Sequence, residues 1–160
     1  MISVNIICIG NLKEKYFKDA VLEYSKRLSA FCKFKIIEID EHKLPQNPKD
    51  AQILQCIEIE GEKIKAKLSK NSYIISMCIE GQIISSEQLS QKIDDISLQG
   101  VSDIDFIIGG SYGLSNKIKN ISKFKLSMSK MTFPHQLARV MLCEQIYRAF
   151  QISSGGKYHK

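Results

Sequence analysis

The sequence predicts an α/β domain built on a mostly parallel sheet with helices on both faces. Three observations carry that prediction. Short β-branched apolar runs alternate with amphipathic segments from the N-terminus to about residue 110, the pattern of strands joined by crossover helices. The first run, Ile2 to Ile9 (ISVNIICI), is apolar along most of its length instead of alternating, as a central strand covered on both faces would be. Finally, the 160 residues are the length of one domain, enough to bury a core without disulfide or metal staples.

Each element has its own signature. Gly10 and Asn11 end the first strand, and Phe17, Val21, Tyr24, Leu28 and Phe31 then recur at three- and four-residue spacing, marking an amphipathic helix from about Glu14 to Phe31. Phe34 to Ile39 reads as a second strand. Glu41 to Asp50, with Pro45, Asn47 and Pro48, is the most loop-like stretch. Ile53, Ile57, Ile64 and Leu68 outline a second helix, in which Gly61 is an unfavourable residue by up to about 1 kcal/mol relative to alanine. Ser72 to Ile79 is a third strand, closed by Glu80-Gly81. Ser85 and Gln88 have capping-box spacing before the stripe Leu89, Ile93, Ile96, and Gly100 is placed to end that third helix. Asp105 to Ile108 is a fourth strand, and a short fifth lies near Leu126 to Met128. Thr132 as cap and Pro134 as first-turn residue then open a last helix, about Pro134 to Ile152. Its apolar positions, including Leu137, Val140, Met141, Ile146, Tyr147 and Phe150, form more than one stripe. Such a width suggests burial against a second copy of the chain.

Hydrophobic content of 44% and charged content of 25% are ordinary for a soluble globular protein. The net charge of +6 is unevenly placed: from Ser111 onward nine Lys and Arg face a single acid, Glu144. A basic region of this kind suits a polyanion, nucleic acid being the commonest, or is simply a solvated face. Five cysteines (Cys8, Cys32, Cys56, Cys78, Cys143), with no CxxC pair, read as small buried hydrophobes in a reducing compartment. His42, His135 and His159 show no metal-ligand spacing, so no metal site is expected. The first apolar run is too short to span a membrane and has no basic leader, so the chain is expected to be cytoplasmic.

Three stretches could carry chemistry, all in the last third. GGSYG (Gly109 to Gly113) follows a strand as a phosphate-binding turn does, but it is neither GxGxxG nor a Walker motif. A tight strand exit explains it as well, and a nucleotide-triphosphate enzyme is disfavoured. Ser127 to Phe133 alternates small polar and larger side chains. A segment like that can offer backbone groups to a ligand while Met and Phe exclude water, or it is only a β-to-α loop. Arg139 and Glu144 sit among apolar neighbours as structural ions or functional groups. The terminal GGKYHK is by default a frayed end, or it sets Tyr158 and His159 to stack on a base and move a proton.

IIGGSYGL, LSMSKMTFPHQLARVMLCEQIYRAFQI, the terminal YHK and the early GNLKEKYF together resemble the SPOUT-class methyltransferases that methylate ring nitrogen 3 of a pseudouridine in large-subunit (23S) ribosomal RNA. The similarity runs from the first strand to the last residue. It implies a single SPOUT domain over residues 1–160, with a C-terminal trefoil knot that no periodicity would have predicted, the default being an unknotted chain. The knot and cofactor site would lie within about 105–152, with a functional tail at 153–160. The resemblance also implies S-adenosylmethionine as cofactor, an obligate homodimer, and ribosomal RNA, on the large subunit or the assembled ribosome, as partner. Matched by motif, the cofactor contacts are Met77, Gly109, Met128, Ser129, Lys130, Met131, Thr132 and Phe133, with Met77 replacing a frequent leucine at little change in size. A sulfonium methyl is already electrophilic, so the protein must align the nucleophile and remove a weakly acidic ring proton. For these tasks the resemblance points to His159 in proton transfer, and to Arg139 and Tyr158 in stabilising charge or stacking the base. Two other functions compete: a non-catalytic RNA-binding or ribosome-assembly factor of the same fold, and a knotted transfer-RNA methyltransferase.

Overall fold

Five strands and five helices alternate along the chain in a computed structural model that describes all residues, 1–160: β1 (Ser3–Ile9), α1 (Lys15–Leu28), β2 (Lys33–Ile39), α2 (Asp50–Lys65), β3 (Tyr73–Ile83), α3 (Ser86–Leu98), β4 (Asp103–Ile108), α4 (Asn116–Ile121), β5 (Phe124–Ser127) and α5 (His135–Ser153). The strands form one sheet in the order β2-β1-β4-β3-β5, and every pairing is parallel. Strands β1 and β4 are central and apolar on both faces, as the first run predicts. Val4, Ile6, Cys8, Ile104 and Phe106 belong to a core shared with α1, α3 and α5. Ile7, Ile9 and Ile107 belong to a smaller core with Ile64 of α2 and Ile118 of α4. Leftward crossovers (β1 to β2, β3 to β4) thus place helices on one face and rightward ones on the other, as a single crossover hand requires. No helix is long and apolar enough to cross a membrane.

The local signals hold at the third helix. Ser85 Oγ accepts from the Gln88 amide while Gln88 Oε1 accepts from that of Ser85, and Gly100 ends the turn with φ +78. Elsewhere the structure corrects the reading. Helix α1 stops at Leu28 instead of running to Phe31. Helix α4 was not expected, since six residues are too few to show a period; its start is capped by Ser115 Oγ, which accepts from Ile118 N at 3.2 Å. Thr132 does not cap α5: the chain is still extended at Pro134 (ψ 135), which is the residue before the helix and makes no side-chain cap. Strand β3 continues four residues beyond the expected end. Met77 and Gln82 both pair with Leu126, so residues 78–81 form an irregular excursion from the ladder. Gly81 is needed there, because a Cβ would stand 2.7 Å from the Lys125 backbone. Gly61 likewise faces Ser115, whose Oγ would lie 2.6 Å from an added Cβ. The helix-weakening residue lets α4 approach α2.

The wide apolar surface of α5 is largely used within the chain. Leu142, Cys143, Ile146 and Ala149 are buried, Phe150 stacks on Phe31 at 5.9 Å, and Tyr147 meets Phe31 and Tyr24 at 6.0 and 6.3 Å. At the amino ends of the central strands a polar cluster replaces apolar packing. Buried Asp105 accepts from Asn5 Nδ2 (2.8 Å), the Ser69 amide (2.7 Å), Ser69 Oγ (3.2 Å) and Ser72 Oγ (2.7 Å). All five cysteines are free. Burial pushes the Cys8 thiol up to about 11 and the Cys32 and Cys143 thiols to about 12, so these three are inert at neutral pH.

Candidate active site

The last connection has to cross the sheet. Strand β5 is at one edge, with β3 and β4 between it and β1, whereas the start of α5 is tied to the end of β1. Gln136 Oε1 accepts from the Lys13 amide at 3.0 Å, and Arg139 Nη2 donates to the Gly10 carbonyl at 2.9 Å. The segment between Ser127 and His135 therefore passes over the carboxyl ends of β3 and β4. In an open parallel sheet this is where ligands bind.

A cavity of about 660 Å³ lies there. One wall is the end of β3, Met77 to Glu80; a second is Ile108 and the turn Gly109 to Leu114; a third is Leu126 to Ser129, Met131 to His135 and Ala138. The GGSYG turn closes on itself through an isolated bridge between Gly110 and Gly113. A Cβ on Gly109 would stand 2.8 Å from the Gly113 backbone and 3.0 Å from Leu114. Glycine is thus required by the turn's own packing, which is the strand-exit reading, and the turn still forms a wall of the cavity. Seven of the eight cofactor residues expected from the sequence converge here: Met77, Gly109, Met128, Ser129, Met131, Thr132 and Phe133. Lys130 does not line the cavity and is exposed. Within the loop, Ser127 Oγ donates to the Ser129 carbonyl and Ser129 Oγ accepts from the Met131 amide. The small polar residues hold the turn while the larger ones face the space.

The three residues expected to be catalytic are elsewhere in this chain. Arg139 is 1% exposed; it pairs with Glu38 Oε2 at 2.7 Å besides binding the Gly10 carbonyl, and its Nε has no partner. Glu38 also accepts from the Leu12 amide at 3.2 Å, so Arg139 anchors the loop after β1. Tyr158 and His159 are half-buried on the outer side of their own α5. The tail is not frayed. Gly155 has φ +70, its amide binds the Ile152 carbonyl at 3.1 Å, and the Gly156 amide binds the Gln151 carbonyl at 2.8 Å, a Schellman motif that turns the chain back along the helix. Tyr158 then packs edge-on against Tyr147 at 4.9 Å and under the Arg148 guanidinium at 4.7 Å, and its hydroxyl donates to Glu144. Burial, then the Tyr24 hydroxyl and Glu144, push its phenol up to about 12, so it keeps its proton at neutral pH. His159 lies between Arg148 Nη1 (3.2 Å) and Glu87 Oε1 (2.8 Å). Amide hydrogen bonds at the start of α3, then His159, hold the Glu87 carboxyl down to about 2. Glu144 also lines a second hollow of about 380 Å³. It shares Leu126, Ser127 and Met128 with the first, so the β5 end is a common wall.

Among the cavity residues that the sequence did not single out as site residues, two carry ionisable or basic groups from helices. Lys119, paired with Glu80, comes from the unforeseen α4. His135 reaches the cavity from the first turn of α5.

A parallel sheet whose carboxyl ends are roofed by an irregular loop, enclosing a largely apolar cavity, defines a ligand-binding α/β enzyme domain. The chain belongs to the SPOUT methyltransferase family and is a methyltransferase: the family model described as "Predicted SPOUT methyltransferase" matches residues 2–159. It is 51% identical over 158 residues to the "Ribosomal RNA large subunit methyltransferase H" of Clostridium acetobutylicum, and 50% identical to the protein of that name from Clostridium novyi. Each alignment covers 99% of both chains. Among solved structures, "a probable methylase family protein" from Haemophilus influenzae shares the fold with a TM-score of 0.55 at 12% identity, covering 98% of this chain and 70% of that one.

Proposed function

We propose that this chain uses S-adenosylmethionine to methylate ring nitrogen N3 of a pseudouridine in large-subunit ribosomal RNA, acting in the cytoplasm on assembled ribosomes as a homodimer. One observation carries the reading: the loop that marks the family in the sequence is the loop that walls the cavity. The residues fit the cofactor. Met77, Ile108, Leu126, Met128 and Phe133 offer apolar and polarisable surface to an adenosine and a sulfonium, while the turn at Gly109 and the loop through Ser129 and Thr132 offer backbone polar groups. When bound, the sulfonium supplies an activated methyl group. The protein's part is to bury it, hold the base in line and manage one proton.

Support for the dimer comes from the cavity rim. Ile79, Tyr112 and Met131 line the cavity yet are 55%, 48% and 74% exposed, more apolar surface at one mouth than a finished site leaves wet. The tail fits the same picture, since Tyr158 and His159 do not reach their own chain's cavity; to serve a partner's they would exchange their bonds to Glu144, Arg148 and Glu87 for contacts there. Arg139 would then act through the β1–α1 loop. The knotted reading is supported by the last connection, which crosses the ends of two earlier strands before α5 returns to the face of α1 and α3.

The deciding experiment is mass spectrometry of ribosomal RNA from cells with and without this gene, followed by in vitro methylation of the unmodified ribosomes. Loss of one methylpseudouridine, restored by the pure protein, is expected. An unchanged RNA would favour an assembly factor or a transfer-RNA enzyme.

A further inference from the structure

We propose that His135 is the proton acceptor for methyl transfer, an assignment that rests on the function just given. The argument starts from which cavity groups can take a proton. The titratable side chains on its walls are Cys78, Glu80, Tyr112, Lys119 and His135. Burial raises the Cys78 thiol, so it holds its proton at neutral pH. Glu80 is engaged by Lys119, and that bond lowers its carboxyl, making it a weak base. Lysine ammonium and tyrosine phenol are proton donors near neutrality. The imidazole of His135 is what remains, and imidazole is the side chain suited to accept and release a proton at physiological pH.

The surroundings keep that ring available. Both nitrogens of His159 are occupied, by Arg148 and Glu87, whereas no protein group hydrogen-bonds the His135 ring. Its Nε2 stands beside Gly10, 3.9 Å from where a Cβ would be. The Gly10 carbonyl is held by Arg139. Arg139 is thus a positioning residue: with Glu38 it fixes the loop against which His135 rests. In the reaction the ring N–H bond of the base breaks and its proton passes to an imidazole nitrogen of His135. The electron pair left on the ring nitrogen forms the new bond to the methyl carbon, and sulfur keeps the pair of the bond that breaks.

The test compares the parent protein with His135→Asn, His135→Ala and His159→Ala in single-turnover methylation of ribosomes lacking the modification. S-adenosylmethionine affinity is measured in parallel by calorimetry. His135→Asn should lower the rate by roughly 100-fold or more, the usual scale for a positioned acid–base group, with cofactor affinity within about twofold of the parent. Added imidazole should restore part of the rate of His135→Ala and none of that of His159→Ala. A near-parental rate for His135→Asn overturns the assignment. So does rescue confined to His159→Ala, or a loss explained wholly by weakened cofactor binding. Should the parent itself transfer no methyl group to these ribosomes, it is the functional reading that fails, and the two failures are told apart.

Discussion

The two ends of β4 have opposite characters. At its amino end Asp105 is fully buried and its carboxylate accepts four hydrogen bonds, which fasten β1 and the turn before β3. At its carboxyl end, six residues of strand give way to a glycine turn and a cavity of about 660 Å³. Every polar atom of the Asp105 side chain has a partner, whereas the cavity end keeps exposed apolar side chains and an unpartnered imidazole. The difference teaches where this chain places its stability: one end of the strand is fully hydrogen-bonded and fixes the fold, while the other is left open around the cavity.

The sharpest way to break the comparison is at the amino end. Asp105→Ala should cost about 3–5 kcal/mol in urea unfolding, because it strands buried donors from Asn5, Ser69 and Ser72. Molecules that do fold should methylate at the parental rate; reduced turnover per folded molecule would mean the ends are not independent. Next in size is the tail. Deleting residues 158–160 should leave cofactor affinity unchanged and cut methyl transfer roughly 100-fold, the scale of a lost positioned group. The melting temperature should fall only slightly, since the ion pairs and ring packing that hold the tail are half-exposed. On the acid side, a depressed carboxyl such as Glu87 contributes stability that is present above its ordinary value near 4.5 and is lost as pH falls through about 2. Tail docking should therefore show no carboxylate step near neutrality when followed by tyrosine fluorescence.

Gly109→Ala tests the boundary between the two regimes. Its methyl group would press on the Gly113 backbone, so a loss of about 1–3 kcal/mol is expected together with weaker cofactor binding. Binding lost without any stability cost would mean that the ligand, not the turn, demands the glycine. The smallest effect is at Cys78. Among the cysteines it is the one that lines the cavity and is not fully buried. A thiol reagent should modify it first, and saturating S-adenosylmethionine should slow that reaction several-fold in a mass-spectrometric time course.

Much of this was legible in the residues. The alternation of strands and helices and the capping box at Ser85 depend on neighbours in sequence, so a linear reading finds them. The cavity loop was legible through resemblance, with Lys130 the one residue that points elsewhere. What escaped were features set by distant contacts. Asp105 reads as the start of a strand, and nothing local announces that Asn5, Ser69 and Ser72 meet it. The extension of β3 to Ile83 depends on β5 lying against Gly81. Gly61 reads as a flaw in α2 until Ser115 is seen against it. The resemblance pointed to Arg139 for stabilising charge or stacking the base, and nothing local announces that in this chain it pairs with Glu38 and the Gly10 carbonyl.

The bonds that set the last helix in place have a further consequence, in the order of assembly. Arg139 reaches Glu38 across 101 residues and Gly10 across 129, and Gln136 reaches Lys13 across 123. Loops that long close late, after local helices and the β1–β2 pair can already have formed. The roof of the cavity is therefore anchored only once the last helix has been made and seated. A polypeptide still emerging, or one clipped before residue 139, lacks the bonds that tie the last helix to Glu38 and Gly10. Competence for chemistry and completeness of the chain arrive together.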